Sequence, residues 1–214
     1  FLFLLIFHSL LSIFLFLIAQ SDILSGLHNG KGFWNFARDV ETYHNEANFL
    51  LYHLDNHEWS AWWNLYSDHK HVRLASFLYW ISGYHQPIVY ELINSLVWAL
   101  SVILIFNSVE ILFSNNKISF FSVSFFFLPT VLLASTQLLR DPIFILGFCL
   151  LCYGSIALIT QQLRLKSILI IQIGLLLIIS MRDYLSPVFL LGLIVFSIIV
   201  LLQRKISIFQ VFIL

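Results

Sequence analysis

Charge is what this sequence has least of. Only 10% of its 214 residues are Asp, Glu, Lys or Arg, against roughly a quarter in soluble domains. That shortage excludes a soluble globular protein, and with no low-complexity stretch it excludes a disordered tail as well. A basic surplus is missing too. Eleven basic residues balance eleven acidic ones, which leaves nothing to attract a polyanion, so nucleic acid is not an expected partner. Two cysteines, Cys149 and Cys152, are too few for a disulfide framework. They lie three apart in an apolar run, where thiols usually serve packing. No Gly-rich phosphate loop and no Gly-x-Ser-x-Gly elbow is present. What is abundant is apolar: 60% hydrophobic residues, 22 of them Phe, and a mean hydropathy of +0.91. This is the composition of an integral membrane protein that crosses the bilayer several times. In such a chain the few charges carry information, because charge in lipid is costly.

Six runs approach the length needed to cross a slab of ~30 Å at ~20 residues each. They are 1–19, 87–106, 118–139 (with Pro129 inside), 142–160, 167–181 and 187–202. Backbone groups must be satisfied within lipid, so the runs are expected to be helices. The fold class is therefore all-α, a polytopic transmembrane helix bundle forming a single domain over 1–214. The first run ends at Ala19-Gln20-Ser21, which resembles a signal-peptide cleavage site. Its length, and the want of basic residues before it, favour a spanning helix. Phe1 is not an initiator Met, and the chain ends within the apolar run Ile206 to Leu214. The expectation is a piece of a longer protein, with six helices as a minimum.

Connector charge sets the orientation. With 20–86 outside, the inner connectors hold Lys117, Arg164, Lys166, Arg204 and Lys205 against one acid, Glu110. The short outer connectors hold Arg140 and Arg182, each followed at once by Asp. The large first outer loop has seven of the eleven acids, seven of the eight His and five of the six Trp. Within it Val40, Tyr43, Ala47, Leu50 and Leu54 recur at spacings of 3, 4, 3 and 4. That predicts an amphipathic helix with Asp39 as N-cap. A weaker helical stretch covers His71 to Ile81. Trp59, Trp62, Trp63 and Trp80 suit the headgroup level, so the loop is expected to carry interfacial helices lying on the outer membrane surface.

Three charged sites stand out, each built on an Arg-Asp dipeptide. The first is Arg38-Asp39-Val40-Glu41-Thr42-Tyr43 at the start of the loop helix. Two carboxylates two residues apart suit general-base work or a divalent cation; they are equally ordinary on a helix surface. The second is Arg140-Asp141 before Pro142. The third is Arg182-Asp183-Tyr184, shortly before Pro187. A short turn with an interfacial ion pair explains either one alone. Together, all three dipeptides fall on the assigned outer face. Arg suits bidentate phosphate recognition, so such a face could bind a phosphate-bearing lipid and do acid–base chemistry beside it. His53 and His57, four apart, offer a weaker metal alternative beside Asp39 and Glu41. No third ligand follows them at a recognised spacing.

The layout resembles the N-terminal part of the membrane glycosyltransferases of the C-type fold, which use sugars carried on polyprenyl phosphates and include the protein mannosyltransferase-like and aminoarabinose transferase-like enzymes. The run Asp39-Val40-Glu41-Thr42-Tyr43-His44-Asn45-Glu46-Ala47 is similar to that family's early acidic motif with its Tyr and small residue. Gly83 to Asn94 resembles the family's approach to its second helix. Ser135 to Asp141, with Pro142, resembles its second acidic site. The likeness covers residues 1–160, and its motifs are short. It implies a plasma-membrane enzyme, bacterial in the first instance, with its active face extracytoplasmic. It implies a lipid-linked sugar donor, Asp39 as the general base, and inversion at the anomeric carbon. Arg140 or Arg182 would neutralise the departing phosphate. Asp141 and Glu41 would orient groups or hold a divalent cation, which some relatives need and others do not. Arg38, Tyr43, Asp183 and Tyr184 complete the expected donor contacts. The rival readings are a cell-surface polysaccharide polymerase or ligase acting on lipid-linked sugar, a transporter, and a structural membrane protein. A transporter is expected to show ionisable residues within its spans, where only Glu91 comes close.

Overall fold

The computed structural model describes residues 1–195 except 67, 161–163, 186, 190 and 193. Among the described residues it is all helical, with one isolated bridge, His28 to Trp34, and no strand. The helices are α1 (Leu2–Ala19), α2 (Asp39–Asp55), α3 (Trp59–Asn64), α4 (Lys70–Ser82), α5 (Ile88–Phe113), α6 (Asn116–Ser122), α7 (Pro129–Ser135), α8 (Asp141–Ile159) and α9 (Arg164–Met181). Short 3-10 turns cover Val123–Phe127 and Asp183–Leu185. α1, α5 and α8 are long and apolar enough to cross a membrane, and α6 with α7 would make a fourth span if the bent pair is one. α9 is apolar but shorter. The expected sixth run, 187–202, is helical at 187–189, 191–192 and 194–195; the rest lies outside the described residues.

Two expectations change. The second run was expected to end at Phe106, but α5 continues to Phe113. Its 26 residues reach about 39 Å at the helical rise. Polar side chains in this extension fold back onto the helix: Ser108 Oγ donates to the Leu104 carbonyl at 2.6 Å. The connector shrinks to Ser114, which turns the chain in the left-handed region, and Asn115, whose side chain accepts from Lys117 N. The third run is also not one straight helix. It bends by 65° at Leu128. Pro129 lacks an N–H and pushes the residue before it out of the helical region, and Leu128 is extended, with ψ 133°.

The stripe on α2 is real, but its partner differs from the one expected. Val40, Tyr43, Ala47, Leu50, Leu51 and Leu54 are buried, and all but Leu54 share one core cluster with Val72, Ala75 and Tyr79 of α4 and with Tyr90, Val97, Leu138 and Ile143 of the bundle. An apolar stripe covered by protein is not free to lie on lipid. Arg38, not Asp39, occupies the N-cap position, and no side chain caps the helix. Asp39 instead sits in the first turn, where a negative charge is favoured by the helix dipole.

Polar side chains tie the long helices together. His8 of α1 is fully buried and stacks on Trp98, with ring centroids 4.6 Å apart. Its Nδ1 lies 2.9 Å from Ser95 Oγ of α5, and its Nε2 lies 2.7 Å from Ser135 Oγ of α7. Leaving either nitrogen bare in this interior would cost about 1–3 kcal/mol. α8 and α9 meet through glycine. A Cβ added to Gly174 would lie 2.7 Å from the Gly147 carbonyl and 2.9 Å from Leu151 N, and one added to Gly147 would lie 2.8 Å from the Gly174 carbonyl. Small residues allow this backbone approach where helix association has little hydrophobic drive.

Gly174→Leu should therefore force α8 and α9 apart at a cost of about 1–3 kcal/mol, lowering the thermal midpoint of the protein in detergent. Gly26→Ala, which meets nothing within 4 Å, should leave it unchanged.

Candidate functional site

The three Arg-Asp dipeptides are delivered to one end of the bundle by different elements. Arg38 and Asp39 come from the start of α2. Arg140 and Asp141 come from the link between α7 and α8. Arg182 comes just after α9. The link is held tightly: Leu139 N donates to the Gln137 carbonyl at 2.8 Å, and the Leu138 side chain is fully buried among α2 and α4 residues. Asp141, in the first turn of α8, then faces both the loop and α9.

Arg182 reaches across to Asp141. Its Nη2 donates to Asp141 Oδ1, its Nη1 donates to Tyr184 Oη at 2.7 Å, and its guanidinium lies 5.3 Å from the centroid of the Phe144 ring. The bond from Asp141 holds the Arg182 pKa above its ordinary value. This cation is committed. Arg140, by contrast, makes no side-chain hydrogen bond or ion pair among the described residues.

A pocket of about 380 Å³ is lined by Asn35, Phe36, Ala37, Arg38, Asp39, Leu139 and Asp141. Two carboxylates and a guanidinium from distant parts of the chain thus share one wall. A second groove, of about 200 Å³, is lined by Thr130, Val131, Ala134, Ser135, Asp141, Pro142 and Ile145 of α7 and α8. Its walls are mostly apolar. Asp141 belongs to both cavities.

Tyr43 stands behind the pocket. Its ring is edge-on to His71 at 4.4 Å and to His69 at 5.0 Å. Burial raises its phenol pKa; Arg140 opposes the rise, and Asp39, Glu46 and Asp141 add to it. His71 is pushed down to about 3, first by burial, then by His69 and Arg140. On the far side of α2, Asn48 Nδ2 donates to His44 Nε2 at 2.9 Å. The neutral ring's proton then sits on Nδ1 and is donated to Tyr79 Oη at 3.1 Å. Burial holds His44 below its ordinary range.

Not every expected site residue joins this cluster. Glu41 is two positions beyond Asp39, about 200° around the helix, and it does not line the pocket. The carboxylate that accompanies Asp39 there is Asp141. Asp183 Oδ1 accepts from Tyr184 N within its own exposed turn. His53 and His57 do not share a helix face, because α2 stops at Asp55 and His57 has φ 58°. His53 Nδ1 instead meets Glu58 Oε2 at 2.5 Å. Among the described residues no group of three or more His, Cys, Asp or Glu is placed to hold a metal ion. Asn35 and Phe36 line the pocket without having stood out in the sequence; nothing but their nearness to Arg38 would have marked them.

The depressed His71 pKa has a stability consequence with a definite sign. The unfolded imidazole takes up a proton near pH 6.5, while the folded one resists until about 3. Stability is present above 6.5 and falls as pH drops through that window, by at most about 1.4 kcal/mol per pH unit. Chemical-denaturant midpoints measured from pH 7 down to pH 4 should fall for the wild type and fall less steeply for His71→Phe, in which His44 still contributes. Compared with protein-family models, curated proteins and solved structures, the chain matches none, so any function has to be argued from this geometry.

Proposed function

We propose that the protein is a multi-pass membrane glycosyltransferase that moves a sugar from a polyprenyl-phosphate donor to an acceptor hydroxyl, with inversion. The observation that carries this reading is the double role of Asp141. It stands where a polar pocket with a second carboxylate meets an apolar groove between α7 and α8. A donor with a polar head and a hydrocarbon tail needs such a junction. The pocket, at about 380 Å³, falls within the range of small-molecule sites.

Each residue then has a role. Asp39 takes the proton from the acceptor hydroxyl as its oxygen attacks the anomeric carbon. The bond from that carbon to the phosphate oxygen breaks on the opposite face. Arg140, whose guanidinium is uncommitted, balances the charge that collects on the departing lipid phosphate. Arg182 is a positioning residue that fixes Asp141, with Tyr184 steadying it from the other side. Arg38 supplies a second cation to the polar pocket. The loop 20–86 lies on the extracytoplasmic face of a bacterial plasma membrane. Exposed Trp59, Trp63 and Trp80 rest at the headgroups, where amphipathic rings are favoured.

Membranes containing the protein and a labelled polyprenyl-phosphate sugar should transfer label. Asp39→Asn should slow transfer by about 100-fold or more. Arg140→Ala should lower kcat by about 100-fold with a smaller change in KM. Transfer at the wild-type rate by Asp39→Asn contradicts the catalytic assignment. Reporter fusions at Trp63 should register as extracytoplasmic; a cytoplasmic signal contradicts the orientation and removes the site from the donor's face.

A further inference from the structure

α5 carries a polar stripe into the bundle. Glu91, Asn94, Ser95 and Trp98 follow one another along one helix face, and all are buried. Ser95 is satisfied, by His8 and by the Glu91 carbonyl. The others lead to a different place. Glu91 is 1% exposed, Asn94 0% and Gln137 1%. Asn94 Nδ2 donates to the Gln137 backbone carbonyl at 2.6 Å, which sets the link between α7 and α8 directly against the stripe. Gln137 Nε2 donates to the Thr136 carbonyl at 3.2 Å and to Thr136 Oγ1 at 3.3 Å.

The amide donors are therefore used, and oxygens are left over. Glu91 Oε1, Asn94 Oδ1 and Gln137 Oε1 are buried without a hydrogen-bond partner. Exchanging oxygen and nitrogen does not help. Turning Asn94 would set its oxygen against the Gln137 carbonyl, and turning Gln137 would set its oxygen against that of Thr136. Trp98 Nε1, further along the stripe beside His8, is a buried donor likewise left over; the three acceptors, one of them on a carboxyl group, outnumber it, and the excess is of acceptor sign.

We propose that Glu91, Asn94 and Gln137 form an internal binding site for a hard monovalent cation of the sodium type. One carboxylate balances one positive charge; a divalent ion would call for more anionic oxygens. Carboxylate and amide oxygens are the ligands that hard cations prefer over nitrogen or sulfur. Close packing, with Tyr90 and Asn94 both fully buried, favours the smaller sodium over potassium. None of the three residues lines the pocket that holds Asp39 and Asp141. The site is thus separate from the proposed transferase chemistry and does not depend on it. Gln137 belongs to the Thr136–Arg140 link, which leads on to Asp141.

The competing occupant is a water molecule beside a protonated Glu91, which would satisfy the same three atoms with no net charge. The experiment separates the two. The purified full chain is unfolded thermally in sodium, potassium and choline chloride at equal ionic strength. The expected result is a saturable rise in the midpoint with sodium over both other cations, because a ligand that binds only the folded state stabilises it. Asn94→Ala and Gln137→Ala should each weaken the apparent sodium affinity by about tenfold or more, and Glu91→Gln should abolish the response. Should Glu91→Gln fail to fold, retention of radioactive sodium by the wild type after rapid desalting decides instead. Equal midpoints in sodium and choline, with no retained sodium, establish the water and overturn the proposal. A sodium response undiminished in Asn94→Ala and Gln137→Ala overturns it as well.

Discussion

An imidazole bonded at both nitrogens to serines of two other helices is the tie on which the rest of the bundle hangs. His8 is fully buried and has no water to fall back on, so its register is fixed by Ser95 and Ser135 together. A slip of one turn moves a side chain by about 5.4 Å and would strand both nitrogens. The tie matters for more than cohesion. Ser135 is the last residue of α7, and the Thr136–Arg140 link that follows carries Arg140 and leads directly to Asp141. By fixing where α7 ends, His8 fixes where that link begins. Trp34 Nε1, donating to the Leu15 carbonyl at 3.2 Å, anchors the approach to Arg38 and Asp39 on the same helix. α1 thus positions both halves of the polar pocket without contributing a residue to it.

The charges at that end are divided by commitment. Asp141 is paired with Arg182, and Arg182 also with Tyr184. Two arginines, Arg38 and Arg140, are not held in this way. A site for an anionic ligand needs this division. A guanidinium already bonded to a carboxylate has less to offer a phosphate, while a free one beside Tyr43 and His71 gains by meeting one. The dipeptide Arg-Asp therefore does different work at its three occurrences, although the sequence writes it the same way each time.

Much of the architecture was legible in the residues. The 3-4 spacing from Val40 to Leu54 located α2 and its buried face, because a helix repeats every 3.6 residues whatever covers that face. What covers it was not legible, since lipid and α4 are both apolar. Pro129 marked the bend, but its angle depends on how α6 and α7 pack. The three Arg-Asp dipeptides, read through connector charge, were expected on one face, and they share one end of the bundle. The pairing of Asp39 with Asp141 rather than Glu41 was out of reach, because it depends on three elements meeting in space. Glu91 stood out in the sequence as an ionisable residue close to a span, but its grouping with Asn94 and Gln137 stayed hidden for a related reason. Averaged hydropathy counts polar residues within an apolar run but does not tell which of their atoms go without partners.

The glycine contact between α8 and α9 also bears on how the protein is made. A helix pair whose backbones approach this closely leaves no side chain between them to be repacked later, so α8 and α9 suit assembly as one hairpin. Asp141 and Arg182, at the open end of that hairpin, pair as it forms. Asp39 is synthesised roughly a hundred residues earlier and has no carboxylate partner until the hairpin arrives. The polar pocket is thus complete only when Leu139 and the start of α8 have been made, and Arg182, which pairs with Asp141, follows at the end of α9. A chain interrupted before Asp141 would hold its loop helices but not the pocket.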